Sequence, residues 1–173
     1  MRNNMKKFET LTFKGMEVHT GGVMPERNAV APDFTAVAGD LSEVSLRSLK
    51  GRRVLLNIFP SLDTGVCATS VRKFNAKAAG LDNVTVLAVS MDLPFAQGRF
   101  CTVEGISDVK PLSLFRSTDF AAGYGLILAD GPLKGLAARA VIVLDEEQRV
   151  VYEQLVPEIT EEPDYEAALA VLG

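Results

Sequence analysis

Two nearly unbroken apolar runs, Val54-Leu-Leu-Asn-Ile-Phe59 and Asn83-Val-Thr-Val-Leu-Ala-Val-Ser90, limit the folds open to this chain more than any other feature. A strand with one wet face alternates apolar and polar residues. A run without alternation reads as a strand covered on both faces. Between the runs, Cys67, Val71, Phe74 and Ala78 recur at helical spacing, and Gly80 stands where a helix stops. Strand, helix and strand, with both strands buried, form a βαβ unit whose strands are parallel neighbours.

The junction of the first strand and the helix carries the chemistry. Pro60 turns the chain, and Asp63 or Thr64 can cap the helix that follows. Arg72, Lys73 and Lys77 lie toward its end, where the helix dipole favours cations. Cys67 therefore falls in the first turn, where unsatisfied N–H groups converge and a thiolate is stabilised. That setting alone does not make an enzyme. Full ionisation of an ordinary thiol gains roughly 30-fold, or about 2 kcal/mol. Partner groups that stabilise a transition state are expected nearby. Position alone leaves an inert buried thiol open for Cys67, a plain helix cap for Thr64 and a strand terminator for Pro60. Arg139 opens the apolar strand Ala140-Val-Ile-Val-Leu144. A guanidinium entering a sheet there needs an anion, unless it turns back to solvent. Cys101 ends a short amphipathic segment that begins at Leu93, with Pro94 suited to a first helical turn.

The rest of the chain frames this unit. Phe8 to Lys14, a turn at Gly15, and Met16 to His19 read as a two-stranded hairpin. His19 is the only histidine, and it reads as a surface strand residue without an evident acid–base partner. Thr35 to Val37 is extended, and Pro111 to Leu114 reads as strand or loop. Asp119 to Tyr124 is a short helix. Ala140 to Leu144 and Val150 to Leu155 flank Asp145-Glu-Glu-Gln-Arg149 as an antiparallel hairpin, and a last helix follows Pro163. A length of 173 residues suits a single domain over 1–173, with 1–7 a flexible extension.

Composition removes several classes of function. The net charge is −4 and no run of basic residues occurs, which argues against nucleic-acid binding. No apolar run approaches the ~18 residues of a membrane span, and no apolar signal core follows the first lysines. A cytoplasmic protein is expected. Two cysteines and one histidine are too few soft ligands for a zinc or iron–sulfur site.

Pro60-x-x-x-Thr64-x-x-Cys67 has the form of the peroxiredoxin active-site signature. Three longer segments resemble the bacterial thiol peroxidases, which are atypical two-cysteine peroxiredoxins. They are Asn57-Ile-Phe-Pro-Ser-Leu-Asp-Thr-Gly-Val-Cys67, Asp92-Leu-Pro-Phe-Ala-Gln-Gly-Arg-Phe-Cys101 and Ala129-Asp-Gly-Pro-Leu-Lys-Gly-Leu-Ala-Ala-Arg139. The likeness runs from about residue 7 to the C-terminus.

The resemblance implies an α/β thioredoxin-like fold: a central mixed β-sheet flanked by helices, plus the N-terminal β-hairpin. It implies that Cys67 is the peroxidatic nucleophile, oxidised by hydrogen peroxide or organic hydroperoxides to a sulfenic acid. Cys101 would resolve it as an intramolecular disulfide. Thr64, Arg139 and Pro60 would complete the catalytic set. No metal, haem or flavin cofactor is implied. Thioredoxin would be the reductant and a homodimer the assembly, with the regions of Phe95 and Phe115 near the interface. Leu62, Val66, Phe95 and Leu136 suggest a substrate pocket, although each reads equally well as core. A non-catalytic redox sensor or relay on the same fold is the alternative. A redox-inactive interaction module would require both cysteines to be unreactive.

Overall fold

A computed structural model describes residues 6–173. The expected extension over 1–7 falls outside the described residues except for Lys6 and Lys7, and Lys6 pairs with Glu9. The N-terminal hairpin is present as β1 (Thr10–Phe13) and β2 (Met16–His19), a two-stranded sheet of its own. Its turn residues, Lys14 and Gly15, both have positive φ, as a tight two-residue hairpin turn demands.

The main sheet has seven strands. In chain order they are β3 (Thr35–Val37), β4 (Glu43–Ser45), β5 (Arg53–Ile58), β6 (Val84–Ser90), β7 (Val109–Ser113), β8 (Ala140–Leu144) and β9 (Val150–Leu155). Their order across the sheet is β4-β3-β7-β6-β5-β8-β9. The β5–β6 and β6–β7 pairs are parallel and the others antiparallel, so the sheet is mixed. The helices are α1 (Gly65–Ala78), α2 (Pro94–Glu104), α3 (Asp119–Tyr124) and α4 (Tyr165–Ala170), with a 3-10 turn at Leu46–Leu49.

The two apolar runs are the central strands because each faces two cores. Alternate residues of a strand point to opposite faces. Val54, Leu56 and Ile58 of β5 join one cluster with Phe34, Phe120, Tyr124 and the hairpin's Leu11 and Val18. Leu55 joins the other, with Val71 and Phe74 of α1 and Tyr165 and Ala168 of α4. Asn57 points to that second face, where its amide donates to Ser70 Oγ of α1 at 3.1 Å.

Pro111 lies inside β7, which resolves the choice between strand and loop. Its ring nitrogen has no proton to offer, but β7 touches β3 only at Ser113, so no ladder bond is lost at Pro111. The segment at Leu93 also differs in character from expectation. Cys101 does not end it, for α2 continues to Glu104. Its buried face carries Gln97, while Phe95 and Val103 lie on the exposed side.

Candidate active site

Cys67 occupies the first turn of α1 and is completely buried. The helix's own ladder begins with Ala68 N–H donating to the Thr64 carbonyl at 3.0 Å. The N–H groups of Gly65, Val66 and Cys67 precede that ladder, so the partial positive end of the helix converges on the sulfur. Thr64 takes the N-cap position, as expected, but it does not cap with its side chain. Its hydroxyl donates instead to the Ser61 carbonyl at 3.1 Å, closing the turn after Pro60.

Arg139 approaches the sulfur from the strand side. Although long and charged, it is buried and ranks among the largest enclosed side chains. Nη2 donates to Cys67 Sγ at 3.2 Å, and Nε donates to the Ile159 carbonyl at 2.7 Å. Nη1 has no partner among the described residues. Burial of a guanidinium in this way requires an anion or strong acceptors around it. The nearby carboxylate of Glu162 is taken by Lys73 Nζ and by Tyr165 Oη, each at 2.9 Å. The bond from Lys73, then that from Tyr165, holds Glu162 below its ordinary carboxylate range. Burial, reinforced by the bond to Glu162, pushes the Tyr165 phenol well up, so it stays a neutral donor. The charge of Arg139 also contributes to lowering Glu162, so the guanidinium acts on that carboxylate as well as on the sulfur.

A cavity of about 150 Å³ adjoins this pair, lined by Pro60, Thr64, Gly65, Val66, Arg139, Phe13, Leu133, Ile159 and Thr160. Four of the expected residues, Pro60, Thr64, Cys67 and Arg139, thus come together, and Val66 lines the cavity. The remaining pocket candidates lie elsewhere. Leu62 packs in the apolar cluster that holds Cys67. Leu136 is half-buried, its amide and carbonyl bonded within its own loop. Phe95 is 69 % exposed on α2. The walls supplied by Phe13, Leu133, Ile159 and Thr160 were absent from the expected set. Ile159 and Thr160 follow a strand, and Phe13 is one of several alternating hairpin residues. Only the fold brings them here. Asn57 did carry a signal, as the one amide within an apolar strand. Its bond to Ser70, whose hydroxyl donates to the Cys67 carbonyl at 2.8 Å, braces the first turn of α1.

Cys101 sits on α2, half-buried, and both cysteines are free thiols. Burial raises the Cys101 thiol above its ordinary value. The turns before α1 and α2 are joined by Asp92, which accepts from Ser61 Oγ (2.7 Å) and Leu62 N–H (2.8 Å), and locally from Ser90 Oγ (2.7 Å). Further along, Arg72 of α1 and Glu104 of α2 form a two-pronged ion pair at 2.7 and 2.9 Å.

His19 corrects the expectation of an unpartnered histidine. Nδ1 lies 2.7 Å from Asp130 Oδ2 and Nε2 lies 3.1 Å from Glu17 Oε1. The bond to Asp130 leads in raising its pKa. The pairing forms because β2 delivers His19 N–H to Asp130 Oδ1 at 2.7 Å, while Ala129 N–H donates to the His19 carbonyl.

Comparison with known proteins agrees with this geometry. Residues 26–169 match the Redoxin family model. Over 161 residues, covering 93% of this chain and 97% of the relative, the sequence is 57% identical to the thiol peroxidase of Corynebacterium glutamicum. The structure superposes with a TM-score of 0.90 on a peroxiredoxin-like protein from Aquifex aeolicus, 41% identical, covering 96% and 98% of the two chains. A thiol peroxidase from Chromobacterium violaceum shares the fold at a TM-score of 0.87 and 20% identity, over 96% and 97% of the two chains. A buried helix-start cysteine held by an arginine, on a thioredoxin-like sheet with these relatives, leaves one assignment: the chain belongs to the redoxin family, in its thiol peroxidase branch.

Proposed function

We propose that this thiol-dependent peroxidase reduces hydrogen peroxide and organic hydroperoxides at Cys67, with Cys101 as the resolving thiol. The observation that carries the reading is the 3.2 Å contact between Arg139 Nη2 and the buried Cys67 Sγ at the start of α1. The Cys67 thiolate attacks the terminal oxygen of the peroxide and the O–O bond breaks. The departing oxygen leaves as alcohol or water after taking a proton, and the sulfur becomes a sulfenic acid. Arg139 Nη1, still unpartnered, is the donor available to a peroxide oxygen as charge develops on it. The Cys67 N–H supplies a further donor, the Thr64 hydroxyl joins it by turning from the Ser61 carbonyl to the peroxide, and Pro60 walls the site from solvent. The Cys101 thiol then attacks the sulfenic sulfur. Water leaves, and a Cys67–Cys101 disulfide remains. Two electrons and two protons from thioredoxin dithiol return both cysteines to thiols.

The same reading takes 1–173 as one domain, placed in the cytoplasm. No helix among the described residues is long and apolar enough to cross a membrane. A homodimer is supported by the exposed apolar side chains of Phe95 and Phe115, which need a cover.

The test is direct. Fully reduced protein receives one equivalent of hydrogen peroxide, and free thiols and mass are followed. Loss of two thiols and two mass units, blocked in Cys67→Ser, is expected. A Cys67 that stays reduced refutes the assignment. Multiple turnovers with thioredoxin separate the enzyme from a sensor that is oxidised once and stays so.

A further inference from the structure

The N-terminal hairpin is not part of the seven-stranded sheet, and a two-stranded hairpin is marginal by itself. Yet it supplies Phe13 to the cavity beside Arg139. Glu158 ties its turn to the segment after β9, beside backbone bonds and the packing of Leu11 and Val18 in the main core. Glu158 Oε1 accepts from Gly15 N–H at 2.7 Å, in the hairpin turn, and from Thr12 Oγ1 at 3.2 Å, on β1. Glu158 Oε2 accepts from Thr160 N–H at 2.9 Å and Thr160 Oγ1 at 2.8 Å. The backbones add two bonds at the same place. Thr12 N–H donates to the Pro157 carbonyl at 2.8 Å, and Ile159 N–H donates to the Thr12 carbonyl at 2.9 Å.

Ile159 lies between Glu158 and Thr160, whose amide and hydroxyl the same carboxylate holds. Its carbonyl receives Arg139 Nε, and with Phe13 and Thr160 it lines the cavity. The hydrogen bonds to Glu158 also hold its carboxyl down to about 2, so the staple stays ionised throughout the neutral range. One side chain therefore adds its own ties between the hairpin turn and the segment that orients the guanidinium.

We propose that Glu158 is a positioning residue for the peroxidase reaction. By stapling the hairpin to the Ile159 segment it makes Phe13 a specificity wall that favours hydroperoxides bearing an apolar substituent. The inference rests on the reading that peroxide is reduced at Cys67 beside Arg139. Hydrogen peroxide has no substituent to touch Phe13, so it feels only the loosening of Arg139. An aryl or alkyl hydroperoxide feels that and the missing wall as well.

The experiment measures kcat/KM for cumene hydroperoxide and for hydrogen peroxide in wild type, Glu158→Ala, Glu158→Gln and Phe13→Ala. In Glu158→Ala the cumene value falls about tenfold and the hydrogen peroxide value about two- to threefold. In Phe13→Ala the selectivity ratio falls about fivefold or more. Glu158→Gln keeps a carbonyl for Gly15 but faces the Thr160 donors with an amide, so its ratio lies between wild type and Ala, about threefold down. A purely structural role lowers both activities with the folded fraction and leaves the ratio alone. A ratio within 1.5-fold (about the assay error) of wild type in either Glu158→Gln or Phe13→Ala overturns the proposal, whether or not Glu158→Ala folds. Wild type and Cys67→Ser are run in parallel. Turnover surviving in Cys67→Ser would refute the underlying reading instead of this one.

Discussion

Removing the Arg139 guanidinium tests the heart of the site. Two contacts must be weighed separately. Nη2 lies 3.2 Å from Sγ and makes that contact already at rest. An interaction present equally in ground and transition states does not speed the chemical step. The differential part belongs to Nη1, which is unpartnered at rest and free to meet the leaving oxygen. A preorganised donor aimed at developing charge is worth about 3–4 kcal/mol, which corresponds to roughly 10²–10³ in rate. Arg139→Ala should therefore lower the second-order rate constant with hydrogen peroxide by about 10²–10³. Arg139→Lys keeps the charge but not the planar fork, and a point donor cannot hold both the Ile159 carbonyl and the sulfur. A loss of about tenfold is expected there. The chain has no tryptophan, so intrinsic tryptophan fluorescence cannot report the reaction, and competition with a haem peroxidase for limiting peroxide is the suitable assay. Circular dichroism and urea titration establish that each variant is folded. A folded Arg139→Ala whose rate stays within about threefold of wild type would refute the reasoning.

Three further outcomes follow from the same geometry. The partners of His19 raise its pKa in the fold, so its stabilising contribution is complete below its unfolded value near 6.5 and fades as pH rises through the higher folded value. The urea stability gap between wild type and His19→Gln should thus be widest below pH ~6 and shrink toward pH ~8.5; a gap independent of pH would contradict the pairing. Asp92→Ala removes two bonds that join the turn before α1 to the turn before α2, and a local one from Ser90, so unfolding should become about 2–4 kcal/mol easier while quenched-flow disulfide formation speeds up. Hydrogen exchange around Cys67 and Cys101 should be faster in the oxidised than in the reduced protein, because two sulfurs on intact helices must come within disulfide reach; equal protection in both states would exclude unwinding.

The elements that were legible are those whose evidence is local. The unbroken apolar runs foretold β5 and β6, because a strand buried on both faces cannot afford alternation. Arg139 was only half legible: a guanidinium at the head of an all-apolar strand either meets an anion or turns back to solvent, the resemblance favoured the first, and the structure buries it with Nη2 on the Cys67 sulfur. What stayed hidden acts through backbone or through distant pairing. Ile159 orients Arg139 by its carbonyl, and any residue has a carbonyl. Phe13 reaches the cavity because the hairpin is docked by core packing, by backbone bonds of Thr12 to Pro157 and Ile159, and by Glu158 at its turn, all pairings distant in sequence. His19 looked partnerless because Asp130 meets it through a loop whose position depends on the whole sheet.

The two cysteines are held in opposite ways, and the difference gives the reaction its order. Cys67 is buried yet surrounded by donors: the start of α1, Arg139 and a braced first turn. Cys101 is half-buried, and burial alone, with no compensating cation, makes its thiol harder to ionise. On the proposed reading, Cys101 waits as the resolving thiol while peroxide meets Cys67. For Cys101 to attack, its thiol must lose that burial, which requires α2 or the loop held by Asp92 to open. The folded site serves the attack on peroxide, and the opened site serves the disulfide. The bonds to Asp92 set the free energy between them, so one variant at that position should move the two steps in opposite directions.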